Sequence, residues 1–200
     1  MREAHIQLNY SPLEHLLSLI DEPHQKICRH ILADNRTLFE TAQGSTHNHQ
    51  AWEGGYIDHV TDGMNFTRHL YEFLNSFKRP LPFSLSQALL IFFLHDLEKP
   101  WRIEVRDGVA GNRPGLDTKD AFKQFREEKL LEYGLVLTDY EMNGLTYIEG
   151  EYKDYSSTHR VMNELAAFGH MVDNWCARGW YDYPQAKSDP WHDAGRFRSK

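Results

Sequence analysis

SQALLIFFLHDLEKPW, residues 86–101, is the stretch on which the fold turns. From Ala88 to Leu94 it is apolar on every side and far too short to cross a bilayer, so a helix built on it belongs in the middle of the fold. The spacing predicts that helix from Ser86 to about Leu97, with Ser84 as its cap and Pro100 as its stop. His95 and Asp96 stand side by side at its end. An adjacent imidazole and carboxylate in such a setting are costly unless something compensates them, and a bound divalent cation is one such compensation. A His-Asp dipeptide is also common as a helix-end pair bonded to itself or to water, so alone it leaves both readings open.

Outward from this helix, apolar residues recur at three- and four-residue spacing without a sustained alternating run, which predicts an all-α chain. Ser11 as cap and Pro12 at the first helical position open a helix to roughly Ile20. A second follows Pro23 and runs to about Thr41. The polar segment 42–52, AQGSTHNHQAW, is a loop carrying His47 and His49. Gly54-Gly55 leads into a long helix to about Phe77, with Tyr56, Ile57, Val60, Met64, Thr67 and Leu70 on its apolar side. WRIEVRDGVAG, residues 101–111, alternates around Asp107-Gly108 and predicts a small hairpin. Helices are expected from about Thr118 to Tyr133 and Asp139 to Glu149, separated by a turn at Gly134, and a last long one from about Ser157 to Tyr181. Beyond Pro184 the tail lacks a period and is expected to be loosely ordered or to wrap over the surface. The reading is one compact helical domain, 1–183, with a tail, 184–200.

Two hundred residues, 40% of them hydrophobic, suffice for one domain with one core. The net charge of −7 argues against a broad nucleic-acid-binding surface but leaves room for a small phosphorylated ligand in a local cleft of cations. Cys28 and Cys176 lack any CxxC spacing and are expected to be reduced core residues. With no apolar leader or membrane-spanning run, a cytoplasmic location is the default expectation. Twelve histidines are the unusual feature, because histidine is the commonest metal ligand.

Upstream, HQAWEGGYIDH places His49 in the loop, two glycines at a helix start and His59 just over one turn into the helix. Together with HDLEK, this resembles the HD-domain superfamily of metal-dependent phosphohydrolases. The matching residues are His49, Ala51, Trp52, Gly54, Gly55, Asp58 and His59, then His95, Asp96 and Lys99. The superfamily's remaining ligand is an aspartate on a late helix, matched here by FGHMVDNWCARGW with His170, Asp173, Ala177 and Arg178. The resemblance implies an HD-type bundle whose site core spans about residues 47–180. It also implies that His59, His95, Asp96 and Asp173 hold one divalent metal and that Lys99 contacts phosphate. Independently, two imidazoles with two carboxylates form a mixed set suited to Mn, Fe, Co, Ni or Zn, with Mg as a further candidate.

Several roles around the site stay open at this level. Lys99, one turn beyond His95, is either a phosphate contact or a solvated lysine. Arg102, Lys153, Arg160 and Arg178 are nearby cations; Arg178, on the Asp173 helix, is favoured for substrate, with Arg102 and His49 beside it. His170 is a supporting residue for Asp173 or a satisfied core histidine. Binuclear members of the superfamily, and the di-iron oxygenases that share its fold, carry two further histidines after the His-Asp pair. This chain has none between Leu97 and Ser157, and offers Glu149 and Glu151 instead. Glu149 is read as a general base rather than a second-metal ligand, against the alternative of an exposed turn. The expected activity is hydrolysis of a phosphoester in a nucleotide or related small phosphorylated metabolite. The alternatives are an iron-dependent oxygenase on the same scaffold and a catalytically inactive domain that binds or senses a ligand.

Overall fold

A computed structural model describes residues 8–198. Over them the chain is mostly helical. Helices α1 (Leu13–Leu17), α2 (His24–Asp34) and α3 (Arg36–Thr41) precede the long α4 (Gly55–Asn75), then α5 (Leu85–Leu94) and the short α6 (Lys99–Arg102). A hairpin of β1 (Ile103–Arg106) and β2 (Val109–Asn112) follows, then α7 (Lys119–Glu132) and α8 (Asp139–Tyr147). A 3-10 turn at Tyr152–Asp154 leads to α9 (Glu164–Asn174), which ends in a π-helical turn, Trp175–Gly179.

The all-apolar run is the centre of the molecule. α5 is buried at Ser86 and from Ala88 to Leu94, with α4, α8 and α9 packed around it. Burying each of its large apolar side chains stabilises the fold by about 1.5–3 kcal/mol. Its start is fixed by a capping box: Ser84 Oγ accepts from the Gln87 amide, and Gln87 Oε1 accepts from the Ser84 amide. α4 approaches α5 at Gly63, where a Cβ would lie 2.0 Å from the Phe92 ring. The hairpin forms as the alternation predicts, Glu104 opposite Gly111 and Val105 opposite Ala110, with Asp107 and Gly108 both at positive φ in the turn.

Several boundaries differ from the expected ones. Ser11 does not cap α1; its amide donates to Asn65 Oδ1, and its hydroxyl accepts from Arg68. The helix expected to run unbroken to Thr41 is interrupted at Asn35, whose side-chain amide donates to Ile31 O and to the Tyr133 hydroxyl. α5 ends at Leu94, and Pro100 stands in the first turn of α6 instead of acting as a stop, because a first turn has no use for the missing N–H. The last helix begins at Glu164, capped by Asn163, so residues 157–163 lie outside it. The tail wraps the surface: Trp191 donates to Leu8 O, and the Phe197 amide donates to Asp58.

Candidate metal centre

The site is assembled by the two ends of buried helices meeting a third. At the start of α4, Gly54 adopts φ +80°, and a Cβ on Gly55 would lie 1.8 Å from Gln50 O. Only glycines let the 42–52 loop fold this tightly onto the helix start. Asp58, the acidic residue of that element, is not in the cluster; it accepts from Trp52 Nε1 at 2.7 Å and from the Phe197 amide at 2.8 Å, fastening loop and tail to α4.

His59 from α4, His95 and Asp96 after α5, and Asp173 from α9 bring one ligand atom each to within 4.8 Å of one another. His59 Nε2 lies 3.3 Å from His95 Nε2, and 3.4 Å from both Asp96 Oδ2 and Asp173 Oδ1. His95 Nε2 lies 3.0 Å from Asp96 Oδ2 and 3.4 Å from Asp173 Oδ1. The His95 orientation is set by its other nitrogen, 2.6 Å from Phe92 O. A carbonyl only accepts, so Nδ1 carries the proton, and in the neutral ring Nε2 turns a lone pair into the cluster. Two imidazole nitrogens face each other, and Asp96 Oδ2 is buried without a partner of hydrogen-bond geometry although cationic groups crowd it. The four ligand atoms lie close enough together to hold a metal ion, and the mixed N/O donor set suits a divalent one.

The charges tell the same story. Burial alone pushes the Asp96 carboxyl up, but His95 and the Lys99 ammonium, which is ion-paired with Oδ2, hold it well below the usual range. Asp173 is likewise lowered against its burial by His59 and His95. Burial opposes charge on His95, yet the Asp96 and Asp173 carboxylates outweigh it and raise the imidazole to about 10. Two buried carboxylates against one lysine leave the cluster one positive charge short, which a proton on His95 or a metal ion supplies.

Beside the cluster opens a cleft of about 350 Å³ lined by His49, Asp96, Lys99, Arg102, Glu149, Tyr152, His170, Asp173, Asn174, Ala177 and Arg178. His49, Lys99, Arg102, Glu149 and Arg178 are thus brought to one wall or another of the same space. His49 has a buried, unpartnered Nε2 and is held neutral, lowered to about 3, by burial and then by His59 and Lys99. Arg102 is steadied by Glu98 at 3.2 Å and lies over the Phe122 ring. Arg178 is exposed at the rim. Arg160 is not brought in; it pairs with Glu164 at 2.8 Å on the surface. Lys153 lines a neighbouring groove that shares Glu149 and Tyr152 with the cleft. Glu151 is engaged by the Met162 amide.

His170 is a cleft residue: its Nδ1 donates to Ile148 O at 2.9 Å, as His95 does to Phe92 O. Its spacing of three from Asp173 was the available signal. Tyr152, one of the aromatics that cluster in sequence around the site, lines the cleft; Asn174 carries no such signal, and the buried Glu98, which joins Arg102 to Arg126, looks in sequence like a solvated helix acid. Comparison with protein-family models, curated proteins and solved structures returns no match for this chain.

Proposed function

We propose that this chain is a metal-dependent phosphohydrolase of the HD type, acting on a phosphoester in a nucleotide or related small phosphorylated metabolite. The observation that carries the reading is the convergence of His59, His95, Asp96 and Asp173 on one point at the edge of a cleft that also holds Lys99, Arg102 and Arg178. The four clustered side chains would hold one divalent ion, which when bound polarises a phosphoryl oxygen and acidifies water.

The chain's own residues supply the rest. Lys99 and Arg102 neutralise phosphate at the cluster, and Arg178 meets it at the rim. His49, whose Nε2 has no protein partner, and His170, whose Nδ1 is committed to Ile148 O, line the cleft and orient polar groups of the substrate. Glu149 is the one lining carboxylate outside the cluster, and it takes the proton of the attacking water as the new P–O bond forms and the ester oxygen departs with its electron pair.

The test is metal analysis together with inorganic phosphate release across nucleotides and small phosphoesters, on the native chain and on Asp96→Ala. Bound metal and turnover should both disappear in the variant. Lys99→Ala should retain metal and lose about 10- to 100-fold in kcat/KM, the value of one charged phosphate contact. Unchanged metal content and activity in Asp96→Ala would sink the reading.

A further inference from the structure

Asp62 lies on α4, three residues beyond His59, and plays no part in the cleft described above. It is 2% exposed, and its Oδ2 has no hydrogen-bond partner. The charged groups that act on it are two further carboxylates, Asp189 and Asp58. Asp62 and Asp189 line a cavity of about 230 Å³ whose other walls are Trp180, Tyr183, Pro190 and Trp191. Asp189 is fixed in place, its two oxygens accepting from the Gln185 and Trp191 amides at 2.7 and 2.8 Å.

The aromatic walls are equally fixed. Trp180 and Trp191 meet at 62° with centroids 5.6 Å apart, making a corner of two indoles. Trp191 is held by its indole N–H on Leu8 O at 2.9 Å and by the Tyr10 ring at 5.2 Å. Carboxylates lining one cavity with electron-rich rings attract a positive charge, and rings favour a diffuse organic cation. A bare calcium or magnesium ion would require a shell of oxygens that indole and proline walls do not offer. The volume suits a molecule of a few heavy atoms rather than a nucleotide.

We propose that this cavity is a second ligand site, taking a small organic ammonium cation with its charged head against Asp62 and its alkyl groups in the Trp180–Trp191 corner. It is separate from the metal cluster and independent of the phosphohydrolase reading. Without such a cation, burial and then the neighbouring carboxylates of Asp189 and Asp58 push Asp62 up to about 8, so a proton fills the role that the ligand would take.

The experiment is a titration of the full chain with choline chloride and tetramethylammonium chloride, read by tryptophan fluorescence and thermal melting. Sodium chloride at equal ionic strength and 3,3-dimethylbutan-1-ol, the uncharged isostere of choline, are the controls. A saturable fluorescence change and a higher Tm with the ammonium salts alone, weakened at least tenfold in Asp62→Asn and in Trp191→Leu, are expected. No saturable change with either ammonium salt overturns the proposal. So does an equal response to the alcohol or to sodium, or undiminished binding in Asp62→Asn. Circular dichroism establishes that each variant is folded, and if Asp62→Asn is not, undiminished binding in Trp191→Leu overturns it.

Discussion

His95 commits its Nδ1 proton to Phe92 O and turns Nε2 toward two carboxylates, so a metal ion and a second ring proton compete for the same place. The consequence is a pH dependence whose sign follows from the raised imidazole. In the metal-free protein His95 sits at about 10, against about 6.5 in an unfolded chain. Between those values the folded state binds the extra proton, so this contribution to stability is complete below about pH 6.5 and is lost as pH rises through 10. The lowered carboxyls of Asp96 and Asp173 act oppositely, contributing above the ordinary carboxylate range and failing as pH falls below it. A metal ion needs the deprotonated ring, so its affinity rises with pH across the neutral range. Thermal melts of chelated and metal-loaded protein from pH 6 to 9 should therefore diverge, the gap widening as pH rises. A constant gap would contradict the assignment of His95 as a ligand.

At the scale of elements, the close crossing of α4 and α5 couples packing to the site. Gly63→Ala would force its Cβ into the Phe92 ring, and Phe92 in turn contacts the rings of His95 (centroids 4.5 Å apart) and His59 (5.9 Å). Overpacking of this kind costs about 1–3 kcal/mol, so denaturant melts should register the loss. Metal affinity should fall with it, whereas a Gly134→Ala control, where a Cβ meets nothing but φ is +65°, should affect stability alone. The elements that sequence reading captured are those fixed locally. The apolar run of α5, its Ser84 cap, the Asp107-Gly108 turn and the Gly54-Gly55 start of α4 are each determined by residues within a few positions. Those it misplaced are settled at a distance: Asn35 breaks a helix by reaching Tyr133, 98 residues on, and Ser11 forgoes capping for Asn65 and Arg68, 54 and 57 residues away. The cluster residues could be read because each lies beside a recognisable element. Glu98 and Asn174 could not, because Glu98 is buried by its pairing with Arg126, 28 residues on, and Asn174 reaches the cleft only through the packing of α9.

For the molecule as a whole, the segment after Tyr183 joins parts of the chain that are remote in sequence. Trp191 ties down Leu8 and Tyr10, the Phe197 amide reaches Asp58, Arg196 lies over the Trp52 ring at 3.6 Å, and Arg198 pairs with Glu53 at 3.1 Å. The surface ion pair is worth little by itself. The bond to Asp58 matters more, because that carboxyl is 4% exposed and, raised to about 6 by burial, depends on Trp52 and the Phe197 amide to remain charged at neutral pH. Ending the chain at Tyr183 strands one of its oxygens and uncovers the aromatic surface beneath. The lost charged hydrogen bond alone costs about 1.5–3 kcal/mol, which lowers Tm by roughly 3–12 °C in a chain of this size. Asp58 also immediately precedes His59, so loosening it slackens the helix start that aims a clustered nitrogen. Metal affinity should drop about 10- to 100-fold, as when a ligand's supporting contacts are removed. Melting and metal titration on the same truncated protein separate the two effects. A lower Tm with unchanged affinity would make the tail a cover for the core alone, and no change in either would make it a surface drape that neither fold nor site requires.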